Sequence, residues 1–295
     1  MAPSVAEFRP DDPLTQSELS AVVAPLGLVT SVTDPDQTVS IRELNAHLVT
    51  AAGLRPEARL IRLQALHVGL SPKPWLGTET IARMLGLRLN HVLTHDEREL
   101  QLSQPATRAE TAYSLARLLT LDDRQRDAAV EAAWSFVLPE LDPWQQAVLG
   151  RALRFVGSPY VWAGTSERPQ QLLGKRLPGG FDCSGFVWRV YKLEPFANAP
   201  ALAGVLKGRT TYAMSGEVAR SARIARADLQ PGDLAFFGAR GSRSKPQEIN
   251  HMGIYVGGGW MVHSSDRGTT LVPMTGWYET RFAWGRRPLA EAGLR

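Results

Sequence analysis

Cysteine is almost absent from this chain of 295 residues: Cys183 is the one it has. An internal disulfide framework is therefore excluded, and no oxidising compartment can be read from bridges. No apolar run has the length needed to cross a bilayer, so no membrane span is expected. The opening stretch, Met1-Ala2-Pro3-Ser4-Val5-Ala6-Glu7-Phe8-Arg9, lacks a basic region followed by an apolar one, so no export signal is expected in it. Candidate metal ligands are equally sparse. His91 and His95 stand four apart, as two ligands on one helix face would, but no third ligand accompanies them. No metal or other cofactor is expected. Against these gaps, a hydrophobic content of 44% and a charged content of 21% are ordinary for a folded chain long enough for two domains.

The net charge of +4 hides an uneven distribution. Residues 1–145 carry 13 Lys and Arg against 19 Asp and Glu, whereas residues 146–295 carry 20 against 10. A basic half suits an anionic ligand such as a carboxylate-bearing peptide or a wall polymer, and it equally suits a solvated basic face. No nucleic-acid reader motif accompanies the charge, so nucleic acid is not an expected partner.

The first 140 residues read as a helical accessory domain. Three helix starts share the Ser/Thr-x-x-Glu capping pattern, at Thr15 and Glu18, Ser40 and Glu43, and Thr107 and Glu110. A longer unit repeats around them. Helix 19–26 ends in Gly27-Leu28, and a polar loop leads to helix 41–54. Helix 80–85 ends in Gly86-Leu87, and a loop through Pro105 leads to helix 108–119. Over residues 14–121 this order resembles the S-layer homology module, which implies binding of a bacterial cell-wall polymer. The stretch from Arg55 to Thr78 is longer than that pattern needs, and a plain helical accessory domain accounts for the same residues.

Asp142 before Pro143 marks a new helix and a boundary, with a second domain over residues 141–295. Helices come first in this part and strands later, which is an α+β order. Cys183 follows a Gly179-Gly180-Phe181-Asp182 breaker and precedes Phe186, Val187, Val190 and Tyr191 at helical spacing. It therefore belongs in the first turn of a helix, where unpaired N–H groups favour a thiolate. A free cysteine is more commonly a small buried apolar residue, so the partners decide. His251 and His263 lie on one predicted hairpin. If Gly257–Gly259 make a three-residue loop, Val256 pairs with Trp260 and the two histidines share a face as diagonal neighbours. A two-residue loop would put them on opposite faces.

Four segments then follow in order: Pro159-Tyr160-Val161-Trp162-Ala163-Gly164, Phe181-Asp182-Cys183-Ser184-Gly185-Phe186-Val187, Leu229-Gln230-Pro231-Gly232-Asp233-Leu234-Ala235-Phe236-Phe237, and His251-Met252-Gly253-Ile254-Tyr255-Val256-Gly257 with Met261-Val262-His263-Ser264 behind it. Together, across residues 147–290, they resemble the NlpC-type cell-wall cysteine peptidases. The resemblance implies a papain-like α+β fold, with helices packed on an antiparallel sheet. It also implies hydrolysis of peptidoglycan stem peptides or muropeptides, commonly between D-γ-glutamate and a diamino acid. Carried onto this chain, it makes Cys183 the nucleophile, His251 its general base and His263 the residue that orients His251. Tyr160 would help to hold the oxyanion. Asp182, Ser184, Trp162 and Arg209 are the candidate substrate-binding residues, with Asp182 also a helix cap.

The chain departs from the family pattern in several places. Ala163 stands where a second glycine is usual, an insert spans residues 164–180, and a basic loop spans residues 238–248. Met214 and Ser215 follow the Arg209-Thr210 stretch where a glutamine is common. A wall-binding protein and an amidase or acyltransferase on the same fold are the alternatives. The resemblance favours the cell wall or the exterior of a bacterium as the place of action over the cytoplasm.

Overall fold

Three capped helix starts meet in the N-terminal part of the computed structural model, which describes residues 8–88 and 99–294. His91 and His95 lie outside the described residues. Isolated bridges join Pro13 to Thr107, Thr15 to Thr38 and Ser40 to Pro105, so the starts of α1 (Gln16–Val23), α2 (Ile41–Ala51) and α5 (Arg108–Leu119) sit together. Thr15 and Ser40 make full capping boxes with Glu18 and Glu43. Thr107 accepts from the Glu110 N–H, but the reciprocal bond expected from the Glu110 side chain is replaced by an approach to Arg88 at 3.5 Å. Between the repeat-like pairs, the stretch after Leu54 forms α3 (Arg55–His67), and α4 (Leu76–Met84) begins four residues before the expected start at Thr80. Helix α6 (Asp123–Ser135) completes this part. Its apolar stripe and those of its neighbours run into one cluster that continues through the rest of the molecule.

Helix α7 (Pro143–Leu153) starts where Asp142 predicts, with Pro143 at the first turn and a capping box to Gln145. After it come two short two-stranded ribbons, β1 (Thr165–Ser166) with β4 (Gly180–Phe181), and β2 (Gln170–Leu172) with β3 (Lys175–Leu177). The helices α8 (Cys183–Trp188), α9 (Pro200–Val205) and α10 (Thr211–Gly216) follow. Five antiparallel strands make the main sheet, in the order β8-β7-β6-β5-β9: β5 (Leu234–Gly238), β6 (Ile249–Gly257), β7 (Trp260–Ser265), β8 (Gly268–Pro273) and β9 (Phe282–Arg286). Interior strand β5, between β6 and β9, is buried at every residue because both faces of the sheet are covered. Leu234 and Phe236 enter the main cluster, while Ala235 and Phe237 enter a second one with Met261, Met274 and Phe282. The architecture is α+β, as read from the sequence.

Helix α8 packs on β6 and β7. Phe181, Phe186 and Phe155 meet edge to face, with Phe155 and Phe181 centroids 5.0 Å apart, and the first two are fully buried. Each such side chain contributes about 1.5–3 kcal/mol of burial. Phe181 and Phe186 flank Cys183 in sequence and help to fix where the start of α8 meets the sheet.

Candidate active site

Cys183 is the first residue of α8, as its spacing predicts, and the Asp182 carboxylate caps the helix by accepting the Gly185 N–H. Asp182 also pairs with Arg209 at 3.2 Å. The Ser184 hydroxyl donates to Asp182 at 3.1 Å and accepts from Arg209 at 2.6 Å. Arg209 further holds the Ala163 carbonyl at 3.1 Å. Three of the predicted substrate-binding residues are thus tied to one another around the start of α8. The fourth, Trp162, is 58% exposed. Ala163 takes φ +63°, a left-handed backbone that costs an L residue about 1–2 kcal/mol and a glycine almost nothing.

The histidines are brought together by a route the sequence did not reveal. Gly257 pairs with Trp260, leaving a two-residue turn at Gly258 and Gly259, whose φ values of +58° and +80° suit a tight hairpin. That turn alone would separate the two rings. A bulge at Val256 adds one residue, so that Tyr255 pairs with Met261 and Ile254 with Val262, and the parity is restored. His251 Nε2 and His263 Nδ1 lie 2.8 Å apart with perpendicular rings. Continuing the register sets Gly253 opposite His263. A Cβ there would stand 3.0 Å from His263 Cβ and 2.9 Å from Met261 Sδ, so any larger residue would press on both side chains.

A residue that sequence reasoning missed completes the row. Tyr278, on the short helix α11 (Trp277–Arg281), places its hydroxyl 3.2 Å from His263 Nε2. No periodicity marks it, because α11 is a single turn between two strands. The signal in the sequence is an aromatic pair, Trp277-Tyr278, shortly after the strand that pairs with the one carrying His263.

Burial sets the electrostatics. It lowers the His251 pKa to about 4 and the His263 pKa well below the ordinary value, the latter with help from His251 and Arg267. It pushes the Cys183 thiol up to about 12, reinforced by the Asp182 charge, although the Ser184 and Met252 N–H groups oppose the shift. The helix start therefore offers its N–H as expected, but desolvation outweighs it and the balance raises the thiol pKa. Cys183, His251, His263, Tyr278, Tyr160, Trp162, Asp182, Ser184 and Arg209 all border one cleft of about 1160 Å³. Tyr160 N–H donates to Glu99 at 3.3 Å from the helical part. Among the described residues no group of three or more His, Cys, Asp and Glu could hold a metal ion.

The sequence matches the NlpC/P60 family over residues 157–287. Those residues are an NlpC/P60 domain. A probable endopeptidase of Mycobacterium tuberculosis is 35% identical to it over 130 residues, which is 43% of this chain and 26% of that protein. A gamma-D-glutamyl-L-lysine dipeptidyl-peptidase of Bacillus cereus is 32% identical over 139 residues, 46% of this chain and 34% of the other. A bifunctional muramidase/DL-endopeptidase of Bacillus subtilis is 33% identical over 124 residues, 42% and 30% of the two chains. The chain thus spans a quarter to a third of the length of these relatives. Among solved structures, an NlpC/P60 family protein from Bacillus cereus is 28% identical and covers 52% of this chain and 43% of its own, with a TM-score of 0.38. Cys183, both histidines and Tyr160 fall inside the NlpC/P60 domain, and residues 8–88 lie outside it. No helix among the described residues is long and apolar enough to cross a membrane.

Proposed function

We propose that the chain is a cysteine peptidase that hydrolyses peptidoglycan stem peptides or their released fragments at the bond between D-γ-glutamate and a diamino acid. The 2.8 Å pairing of His251 with His263 in the cleft that holds the only cysteine carries this reading. With Nε2 engaged by His263, the other nitrogen of His251, Nδ1, is the one left to serve the thiol. Cys183 Sγ attacks the amide carbon while its proton passes to His251. The oxyanion is held by Tyr160 and by N–H groups at the start of α8. Collapse breaks the C–N bond, the amine leaves with the proton from His251, and a thioester remains. Water, deprotonated by His251, attacks that thioester and frees Cys183. Asp182, Ser184 and Arg209 shape the wall beside the nucleophile, and Trp162 offers an exposed ring to the peptide. Names of relatives that act on γ-D-glutamyl-L-lysine and DL bonds support this substrate class. The same reading places the work at the cell wall or outside the cell, with residues 14–121 as a wall-polymer binding part.

Digestion of defined muropeptides, with mass spectrometry of the products, tests the proposal. The γ-D-glutamyl–diamino acid bond should be cut, and Cys183→Ala should lower the rate by at least about 10³-fold with its thermal midpoint unchanged. Equal turnover by that variant, or wall binding without any cleavage by the unaltered protein, would sink it.

A further inference from the structure

We propose that Tyr278 is a positioning residue of the relay: its phenolic oxygen accepts the His263 Nε2–H, and this keeps His251 Nδ1 free for the thiol. The inference rests on the proposed nucleophile and base, and it concerns where three protons sit.

Burial keeps both imidazoles neutral, so each carries one N–H. His251 Nε2 and His263 Nδ1, 2.8 Å apart, share a single proton. If His263 donates, neutral His251 must carry its own proton on Nδ1, and it cannot take one from Cys183. If His251 donates through Nε2, its Nδ1 is free. His263 then carries its proton on Nε2, aimed at the Tyr278 oxygen 3.2 Å away. The direction of the last hydrogen bond therefore fixes the direction of the first.

The cycle itself selects the second arrangement. Once His251 has taken the thiol proton, both of its nitrogens donate, and His263 can then only accept at Nδ1. With Tyr278 already accepting, neither His263 nor Tyr278 has to exchange a proton as the charge forms and decays. With Tyr278 donating, the whole row would have to reverse at each turnover.

The surroundings suit an accepting phenol. His263 is 1% exposed, so an Nε2–H without Tyr278 would be buried and unpaired. Tyr278 borders the cleft, where its own O–H can bond to water or substrate. Its ring is held by Phe237 and Trp277, with centroids at 5.5 and 5.2 Å. Burial raises its pKa to about 12, which keeps the phenol protonated.

Nitrogen NMR of the histidine-labelled full chain reads the arrangement directly. His263 should be protonated at Nε2 and unprotonated at Nδ1, and His251 likewise. Protonation of His263 at Nδ1 would overturn the proposal, and this measurement needs neither a variant nor turnover. In Tyr278→Phe, His263 should become a mixture of tautomers, and kcat should fall about tenfold while KM stays within about twofold. An unchanged tautomer together with an unchanged kcat would also overturn it. If the unaltered protein fails to cut the γ-glutamyl peptide, the peptidase reading falls while the tautomer result still stands or fails by itself.

Discussion

Burial and helix geometry pull the Cys183 thiol in opposite directions, and the balance sets the resting state of the pair. The Ser184 and Met252 N–H groups favour a thiolate, but desolvation and the Asp182 charge push the thiol up to about 12. His251 moves the other way, to about 4. These opposed shifts favour a resting pair of thiol and imidazole over an ion pair. The thiolate absorbance near about 240 nm, taken as the difference from Cys183→Ala, should stay absent from about pH 5 to pH 9. A thiolate step below neutral pH would instead mean a resting ion pair. Folding stability follows with a definite sign. From an unfolded pKa of about 6.5 down to the folded value, the unfolded chain binds protons that the folded one refuses, so stability falls as the pH drops through that window. Cys183 could be read from sequence because helical spacing and a breaker surround it, whereas the desolvation that governs its proton comes from strands more than sixty residues away.

At the scale of the hairpin, one extra residue decides whether there is a site at all. Three consecutive glycines, Gly257, Gly258 and Gly259, all take positive φ, so composition alone could not tell a three-residue loop from a two-residue turn with a bulge. The period-two argument allowed a shared face only through a three-residue loop with Val256 paired to Trp260, whereas the chain pairs Gly257 with Trp260 and recovers that face through a bulge. Tyr278 was out of reach for a related reason, since its contact arises from the path of a single-turn helix after β8. Gly253 is where this geometry is most exposed to test. A methyl at that position meets Met261 and His263 at 2.9 and 3.0 Å, and these neighbours are β7 residues with little room to retreat. Gly253→Ala should cost about 1–3 kcal/mol in urea unfolding. It should also lower kcat/KM about tenfold or more by opening the His251–His263 distance. A variant equally stable and equally active would show that the strands yield freely.

Across the whole molecule, the helical part and the NlpC/P60 domain are joined through buried charge as well as apolar contact. Arg83 on α4 binds Glu79 at 2.6 Å and Glu99 at 2.7 Å, and Arg88 binds Glu79 at 2.8 Å, all at 5% exposure or less. Burial raises the Glu79 pKa, but the Arg88 and Arg83 guanidiniums overcome it and leave Glu79 lowered. From this cluster Arg83 reaches the carbonyls of Gly157 and Arg267, and Glu99 takes the Tyr160 N–H. Glu79 and Arg83 stand four apart on a helix, the spacing of any solvated surface pair, so their burial left no mark in the sequence. Replacing Arg83 with Met leaves the buried carboxylates of Glu79 and Glu99 with Arg88 as their remaining guanidinium and should cost about 3–5 kcal/mol. Because the same side chain holds the turn behind His263 and steadies Glu99 beneath Tyr160, kcat/KM should fall with it. A single urea transition, moved as a whole by the variant, is expected if the two parts unfold as one unit. Two transitions, with only the earlier one displaced and peptide turnover intact, would mean that the helical part stands apart from the chemistry.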